Sequence, residues 1–370
     1  MSTRGYGGPD AERWLSVVLA VGRIASSAGG SRRRAATVLL ALRRLLPYDA
    51  GSVVLFDADR PAILPLAITG YRGFSSIRDG PPGGLEGAYR HIVRARLDRP
   101  GPPLRLDDLP PAQGEHPIRR LLTAAGLPAG VFVPLTTADG RSVGLLMLHT
   151  RMPGPGEDVL DVLGGLAPTI ANAVDPLRQM AALLAAVPGV FAGAVLTAGG
   201  TVLSVPGLPG HPLLVPPAPL LDTAAASLRD GRLYRTFLVP GATGEEHVCA
   251  TVLPSPGDPP HRRSVAVLLS RMGDAQGLTP RELEVMGLLV DGWSNRRIAA
   301  ALFVSERTVA AHIEHILVKL EVPTRTMAAL RALRLGLFVP SSLLDPPAGG
   351  PRLIRGAAGA RGRQSSGSAA

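Results

Sequence analysis

Leu278-Thr279-Pro280-Arg281-Glu282-Leu283-Glu284-Val285-Met286 opens a stretch, 277–340, whose punctuation decides the fold of this end of the chain. Thr279 is a helix N-cap residue, Pro280 suits the first helical position, and Glu282 stands three residues after the cap, which together make a capping box with a proline start. Leu283, Met286, Leu289 and Val290 follow at helical spacing, and Asp291-Gly292 supplies the stop. Ser294 can cap a second helix with Ile298, Ala299 and Leu302 on one face. Phe303-Val304 is a tight connection. Ser305 can cap a third helix, from Glu306 to about Leu320, with Val309, Ile313, Ile316 and Leu320 as a narrow inward stripe, and Pro323 stops it. A fourth helix is expected from about Thr326 to Leu335, ending at Gly336.

Two helices joined by a short turn, the second with its dry face inward, have the geometry that enters a DNA major groove. With 309, 313, 316 and 320 buried, Arg307, Ala310, Ala311 and Glu314 are expected to share the outward face. Thr308, His312, His315 and Lys319 are expected on its flanks, beside phosphates. Ser294, Asn295 and Arg296 at the start of the second helix, and Ser305 at the start of the third, complete the expected DNA-facing set.

The run Leu278 to Val285, then Gly292-Trp293-Ser294-Asn295-Arg296-Arg297-Ile298-Ala299, then Val304-Ser305-Glu306-Arg307-Thr308-Val309-Ala310-Ala311-His312, resembles the LuxR-type helix-turn-helix of bacterial transcription regulators. The resemblance implies sequence-specific binding to double-stranded promoter DNA, pairing into a homodimer through the last helix, and RNA polymerase among the partners. The family pattern carries a basic residue just after the Thr-Val pair and often another four positions later; Ala310 and Glu314 stand there instead. A glutamate in the groove can accept from a cytosine amino group. A helix-turn-helix that contacts protein instead of DNA is the alternative reading.

Charge bears on that interface. The formal net charge is +10, but residues 273–340 hold eight Lys/Arg against seven Asp/Glu, a net of +1. The tail 341–370 holds four Arg and one Asp, a net of +3, which leaves +6 for residues 1–272. Non-specific affinity grows with the number of phosphates neutralised, so one isolated module is expected to bind weakly, with pairing supplying the rest. Lys319 is the only lysine, and arginine carries nearly all of the positive charge.

Upstream, residues 11–180 read as one α+β domain. Trp14, Val17, Val18, Val21 and Ile24 mark an amphipathic helix, and a second helix runs through Val38 to Leu46 and stops at Pro47. Ser52 to Phe56 and Ala62 to Thr69 read as strands, Gly80 to Gly84 as a loop and Leu85 to Leu97 as a helix. Val131 to Leu135, the Asp139-Gly140 turn and Val143 to His149 form the clearest hairpin. Asp158 to about Ala186 reads as a long helix with a break at Pro168 or Pro176. This order resembles a GAF sensory domain, which implies a small molecule cupped against the sheet; a ligand-free GAF domain that serves for dimerisation is the alternative reading. The domain has no cysteine for a bilin thioether; His91, His116 and His149 are candidate haem ligands by residue type, but a lone His is more often a surface or satisfied residue.

Residues 187–272 read as a second small α/β unit. Strands are expected at Ala194 to Thr197, Thr201 to Val205, Leu233 to Val239, His247 to Leu253 and Ser264 to Ser270, with a helix at Pro219 to Leu228. This order is similar to a shortened PAS fold. Met272 to Gly277 is the expected linker to the helix-turn-helix domain, 274–339. The tail 341–370 is expected to be a disordered basic segment.

The fold class expected is therefore an α+β sensory region, GAF-like then PAS-like, followed by an all-α four-helix domain. No run reaches the roughly 18 apolar residues of a membrane span, and Met1 to Asp10 lacks the apolar core of a signal peptide. With Cys249 as the single cysteine, no disulfide forms within the chain. These features point to a cytoplasmic protein. No Gly-Lys pair, Gly-x-Ser-x-Gly elbow or His-Glu-x-x-His motif occurs, so no catalytic residue, metal ligand or cofactor is expected. Asp107-Asp108 in a Pro-rich loop, with no lysine nearby, does not suit a phosphoacceptor receiver. Only Trp14 and Trp293 are tryptophans, which argues against the Trp-rich pocket of acyl-homoserine-lactone receptors.

Overall fold

The computed structural model describes residues 9–71, 97–109, 117–184, 189–229, 235–241, 247–254 and 264–344, with single positions at 87, 90, 92, 93 and 187. They divide into two compact units: Met1–Pro216, Ala224–Leu233 and Val252–Leu268 form one, and Pro217–Thr223, Tyr234–Thr251 and Leu269–Ala370 the other. That division runs through the expected 187–272 segment.

In the first unit, helices α1 (Pro9–Ser26) and α2 (Ser31–Leu42) precede strands β1 (Ala50–Phe56) and β2 (Ile63–Thr69). β3 (Leu104–Arg105), α3 (Pro117–Ala124), β4 (Ala129–Thr136), β5 (Ser142–Thr150), α4 (Glu157–Val174) and α5 (Pro176–Leu184) follow. The five strands pair antiparallel in the order β2-β1-β5-β4-β3. Side chains alternate across such a sheet, and both faces here are apolar. Val53, Leu55, Val131, Val133, Leu146 and Leu148 pack with α1, α2 and α4 on one face. Val54, Phe132 and Leu145 pack with Leu97, Leu106, Leu122 and Leu127 on the other. The near-continuous apolar runs of β4 and β5 follow from this double burial.

Several expectations need adjusting. Val18 faces solvent, so the buried stripe of α1 is narrower than its apolar residues suggest. The second helix begins at Ser31 and ends at Leu42, short of Leu46. The expected helix 158–186 is two helices. Pro168 sits inside α4 without ending it, while Pro176 is preceded by Asp175 in an extended conformation (ψ 114°). The Asp175 Oδ1 then caps α5 by accepting from the Leu177 N–H at 2.9 Å, and its Oδ2 accepts from Arg141 Nη2 at 2.7 Å. The helix breaks where a carboxylate is available to cap the next one. The Gly80–Gly84 loop and most of the 85–97 helix lie outside the described residues.

The remaining strands are β6 (Val190–Thr197), β7 (Val202–Ser204), β8 (Arg235–Pro240), β9 (His247–Pro254) and β10 (Ser264–Arg271), with helix α6 (Pro219–Arg229) between β7 and β8. Their order is β7-β6-β10-β9-β8. In the first unit, Met180 and Leu184 of α5 pack on Val195, Val205, Ala266 and Leu268. Asp59 accepts from the Gly199 N–H (3.1 Å) and from the Thr197 hydroxyl, pinning the β6–β7 turn.

In the second unit, the described residues 280–335 form the helices α7 (Pro280–Val290), α8 (Asn295–Leu302), α9 (Glu306–Lys319) and α10 (Arg325–Leu335). The chain then runs buried through Leu337, Phe338 and Val339. Phe338 O accepts from Leu238 N of β8 at 2.8 Å, and Val339 N donates to Leu283 O of α7 at 3.2 Å. The Arg235 guanidinium lies 5.9 Å from the Phe237 ring and 5.5 Å from the Phe338 ring. The fold extends past 340 into a single 3-10 turn, Ser341–Leu343, whose Ser342 hydroxyl is 2.8 Å from that of Thr223. The rest of the expected tail, from 345, lies outside the described residues.

Candidate nucleic-acid interface

The helix starts are built as their residue types require. The Thr279 side chain accepts from the Glu282 N–H, and the Glu282 carboxylate returns the bond to the Thr279 N–H at 2.7 Å. Glu282 is 2% exposed. Its Oε2 also lies 2.7 Å from Lys319 Nζ at the far end of α9. Burial pushes this carboxyl up, but the bonds from Lys319 and from the Thr279 backbone and hydroxyl outweigh that and hold it below the usual carboxylate range. Ser294 and Ser305 cap α8 and α9, accepting from Arg297 N (3.4 Å) and Thr308 N (3.1 Å).

The turn between α8 and α9 passes through Phe303 in the left-handed region (φ 55°, ψ 45°), a conformation uncommon for a residue with a bulky side chain. Arg281 donates to Leu302 O at 2.6 Å, tying α7 to the end of α8. Arg325 donates to Trp293 O (2.6 Å) and Asn295 Oδ1 (3.4 Å), tying the start of α10 to the start of α8. The Arg297 guanidinium stacks on Trp293, 3.8 Å from the ring centroid. These ties hold α8 against α7 and α10, and the Lys319–Glu282 pair ties the end of α9 to α7.

Val309 and Ile316 are fully buried, Leu320 likewise, and Ile313 is 9% exposed. Arg307, Ala311, Glu314 and Val318 are exposed. Their spacing of four, three and four is the same repeat carried on the opposite side of the helix. Ala310 is half-buried and leaves the centre of the expected outward face, while Val318, at 76% exposure, joins it. Sequence periodicity contained the signal for Val318, since 318 is seven residues beyond 311.

Ser305, Thr308 and His315 are exposed beside this face, and His312 is half-buried. Lys319 is a correction: its ammonium serves Glu282 and is engaged within the domain, not poised on a phosphate flank. A buried carboxylate requires a partner, and the only lysine supplies it. Arg296 is exposed at the start of α8, and Asn295 is half-buried and engaged by Arg325. No group of His, Cys, Asp and Glu side chains able to hold a metal ion occurs among the described residues, and no described helix is long and apolar enough to cross a membrane.

Residues 276–332 match the family of bacterial regulatory proteins, luxR family, and residues 33–175 match the GAF domain family. The chain therefore carries a LuxR-family helix-turn-helix domain behind a GAF domain. The uncharacterized transcriptional regulatory protein YhcZ of Bacillus subtilis (strain 168) is 52% identical over 60 residues, 16% of this chain and 28% of that protein. The transcriptional regulatory protein DegU of Brevibacillus brevis is 48% identical over 59 residues, 16% of this chain and 25% of that one. The transcriptional regulatory protein LiaR of Bacillus subtilis (strain 168) is 36% identical over 107 residues, 27% of this chain and 51% of that one. The chain thus spans between a quarter and a half of the length of these curated relatives. Among solved structures, the GAF domain of a phosphoenolpyruvate-protein phosphotransferase (ptsP) from Coxiella burnetii is similar with a TM-score of 0.34 and 16% identity, covering 49% of this chain and 100% of that one.

Proposed function

We propose that this protein is a sequence-specific DNA-binding transcription regulator that acts as a homodimer and is controlled by a signal received in its N-terminal region. The observation that carries the reading is the exposed stripe Arg307, Ala311, Glu314 on a helix whose opposite side is buried and whose start is capped. Ser294, Arg296, Ser305, Thr308, His312 and His315 border that stripe or begin the preceding helix, where backbone phosphates of promoter DNA would lie. RNA polymerase is a further partner under this reading, and the cytoplasm is the expected location. We assign sensing of a small molecule to 11–180 and a PAS-like role to 187–272, on the order of their elements.

Chromatin pull-down of the tagged protein tests this reading, with enrichment at discrete promoter sites as the expected result. If no DNA site is enriched, the helix-turn-helix contacts protein instead, a reading that the module's net charge of +1 keeps in play. In vitro, Arg307→Ala with Thr308→Ala should weaken binding to an enriched site by roughly 5- to 150-fold, the range for loss of one good base contact. Unchanged affinity in a gel shift refutes this docking of α9.

Pairing is assigned to α10. Its Ala328 and Ala332 are buried, while Met327 and Leu330 are each 49% exposed and Leu335 is 47% exposed. Leu330→Arg replaces an exposed apolar side chain of α10 with a charge and should shift the protein from dimer to monomer in sedimentation analysis, with a parallel loss of DNA affinity. A mutant that remains dimeric places the interface elsewhere.

A further inference from the structure

We propose that Glu314 is a specificity-determining residue that reads cytosine in the major groove, accepting a hydrogen bond from its N4 amino group. This deepens the DNA-binding reading and rests on it.

Most of the other acidic groups of residues 273–340 have structural work, the exception being exposed Glu321 beyond the C-terminal end of α9. Glu282 is held by Lys319 at 2.7 Å, and Glu284 by Arg281 at 2.6 Å. Asp291 accepts from the Ser341 hydroxyl, and Asp274 caps its own turn by accepting from Gln276 N at 2.8 Å. Glu306 is in the first turn of α9, where the helix dipole favours a negative charge. Glu314 has none of these roles. It is exposed, lies mid-helix, and makes no hydrogen bond or ion pair among the described residues.

Its position settles what it would meet. Arg307, Ala311 and Glu314 lie on one stripe opposite the buried one. Ala311 sits between the two longer side chains, so the helix can approach closely there and the Glu314 carboxylate can reach the base edges. At about 1.5 Å rise per residue, Arg307 and Glu314 are about 10.5 Å apart along the helix, too far to read the same base. A carboxylate is repelled by phosphates, so it is tolerated only over bases that donate. In the major groove guanine and thymine present only acceptors there, cytosine presents its N4 donor, and adenine pairs its donor with the N7 acceptor. Glu314 therefore rejects guanine and thymine by lone-pair repulsion and selects cytosine, a discrimination made partly by repulsion. Arg307, two turns earlier on the same stripe, is the residue type suited to fork onto a guanine at a neighbouring position.

The test is selection of binding sites from randomised duplexes by the full chain and by two variants. The wild type should enrich a cytosine at one fixed position of each half-site. Glu314→Gln should move that position to adenine, because an amide can pair with both adenine N6 and N7. Glu314→Ala should erase the preference at that position alone, lowering discrimination there by roughly 5- to 150-fold. An alanine variant whose motif is unchanged at every position, or one that binds all sequences more tightly by the same factor, overturns the proposal, because the carboxylate then only repels the backbone. If the wild type enriches no sequence at all, the sequence-specific reading falls and this proposal with it; the other outcomes leave that reading standing.

Discussion

Gly287→Ala is expected to destabilise the helix-turn-helix domain strongly. In an isolated helix the change would help, since alanine is favoured over glycine by about 1 kcal/mol. In this fold an added Cβ would lie 1.7 Å from the Val339 carbonyl oxygen and 2.7 Å from its carbonyl carbon. Both atoms are backbone, so no side-chain rotation relieves the overlap. The segment Leu337 to Val339 would have to lift from α7, taking Phe338 (0% exposed) with it and breaking the Val339 N to Leu283 O bond. Overpacking costs about 1–3 kcal/mol where a core can yield; here the obstacle is main chain, and a cost of about 3 kcal/mol or more outweighs the helix gain. For a domain of this size that is a large part of the total stability. The thermal midpoint should fall by on the order of 10–20 °C. Trp293 fluorescence in a Trp14→Phe background reports this domain. Gly273→Ala is the control, because its added Cβ meets nothing within 4 Å. An equal or higher midpoint for Gly287→Ala would show that the segment after α10 is not held as described.

The helix-turn-helix was legible because its signals are local. Caps, a proline start, a left-handed glycine stop and a 3.6-residue stripe lie within a few residues of the structure they cause, and the four helices begin and end within a residue or so of where they are expected. What local pattern could not supply was anything decided by a distant partner. Lys319 looks like a phosphate ligand on its own helix, and its engagement depends on Glu282, 37 residues away in the chain. The burial of Leu337 to Val339 depends on β8 and α7. The break before Pro176 and the continuity through Pro168 differ because only Asp175 can cap the helix that follows. The hairpin of β4 and β5 was legible for the same reason as the helices, its turn being adjacent to its strands. β3 was not, since two residues carry no period and its identity as a strand comes wholly from pairing with Phe132 and Val131.

The exposed face of α9 was legible in outline and was sharpened by one position. Its four outward residues repeat the spacing of its four buried ones, so a small error in the phase of the stripe exchanges Ala310 for Val318. That exchange matters for chemistry. A half-buried Ala310 presents little side chain outward, which leaves Arg307, Ala311, Glu314 and Val318 on the exposed face and no lysine there.

The GAF domain is expected to lose stability as the pH falls below about 6.5, through one residue. His149 of β5 is 2% exposed on the sheet face that carries Phe132 and Leu145. Its Nδ1 lies 2.7 Å from the Tyr71 hydroxyl, its ring meets Phe132 edge-on at 5.4 Å, and Nε2 is buried with no partner among the described residues. Gly130 on the neighbouring strand makes room for the ring, since a Cβ there would come within 2.6 Å of His149 Cδ2. Burial pulls the imidazole down to about 3, well below its ordinary value of 6.5. Between those values the unfolded chain binds a proton that the folded chain refuses, so the unfolded state holds more protons and stability rises with pH. The contribution is complete above about pH 6.5 and is lost progressively down to about pH 3. Each unit in that window costs at most about 1.4 kcal/mol, so moving from pH 6.5 to pH 5 should remove up to about 2 kcal/mol. Urea midpoints read by Trp14 fluorescence in a Trp293→Phe background should show that slope. His149→Gln keeps a polar side chain on Tyr71 without a titrating nitrogen and should flatten the profile, at some cost in stability at pH 7. If the wild-type midpoint is level from pH 7 to pH 5, the imidazole takes its proton inside the folded domain, and the orphaned Nε2 must then be served by a group that can accept from it.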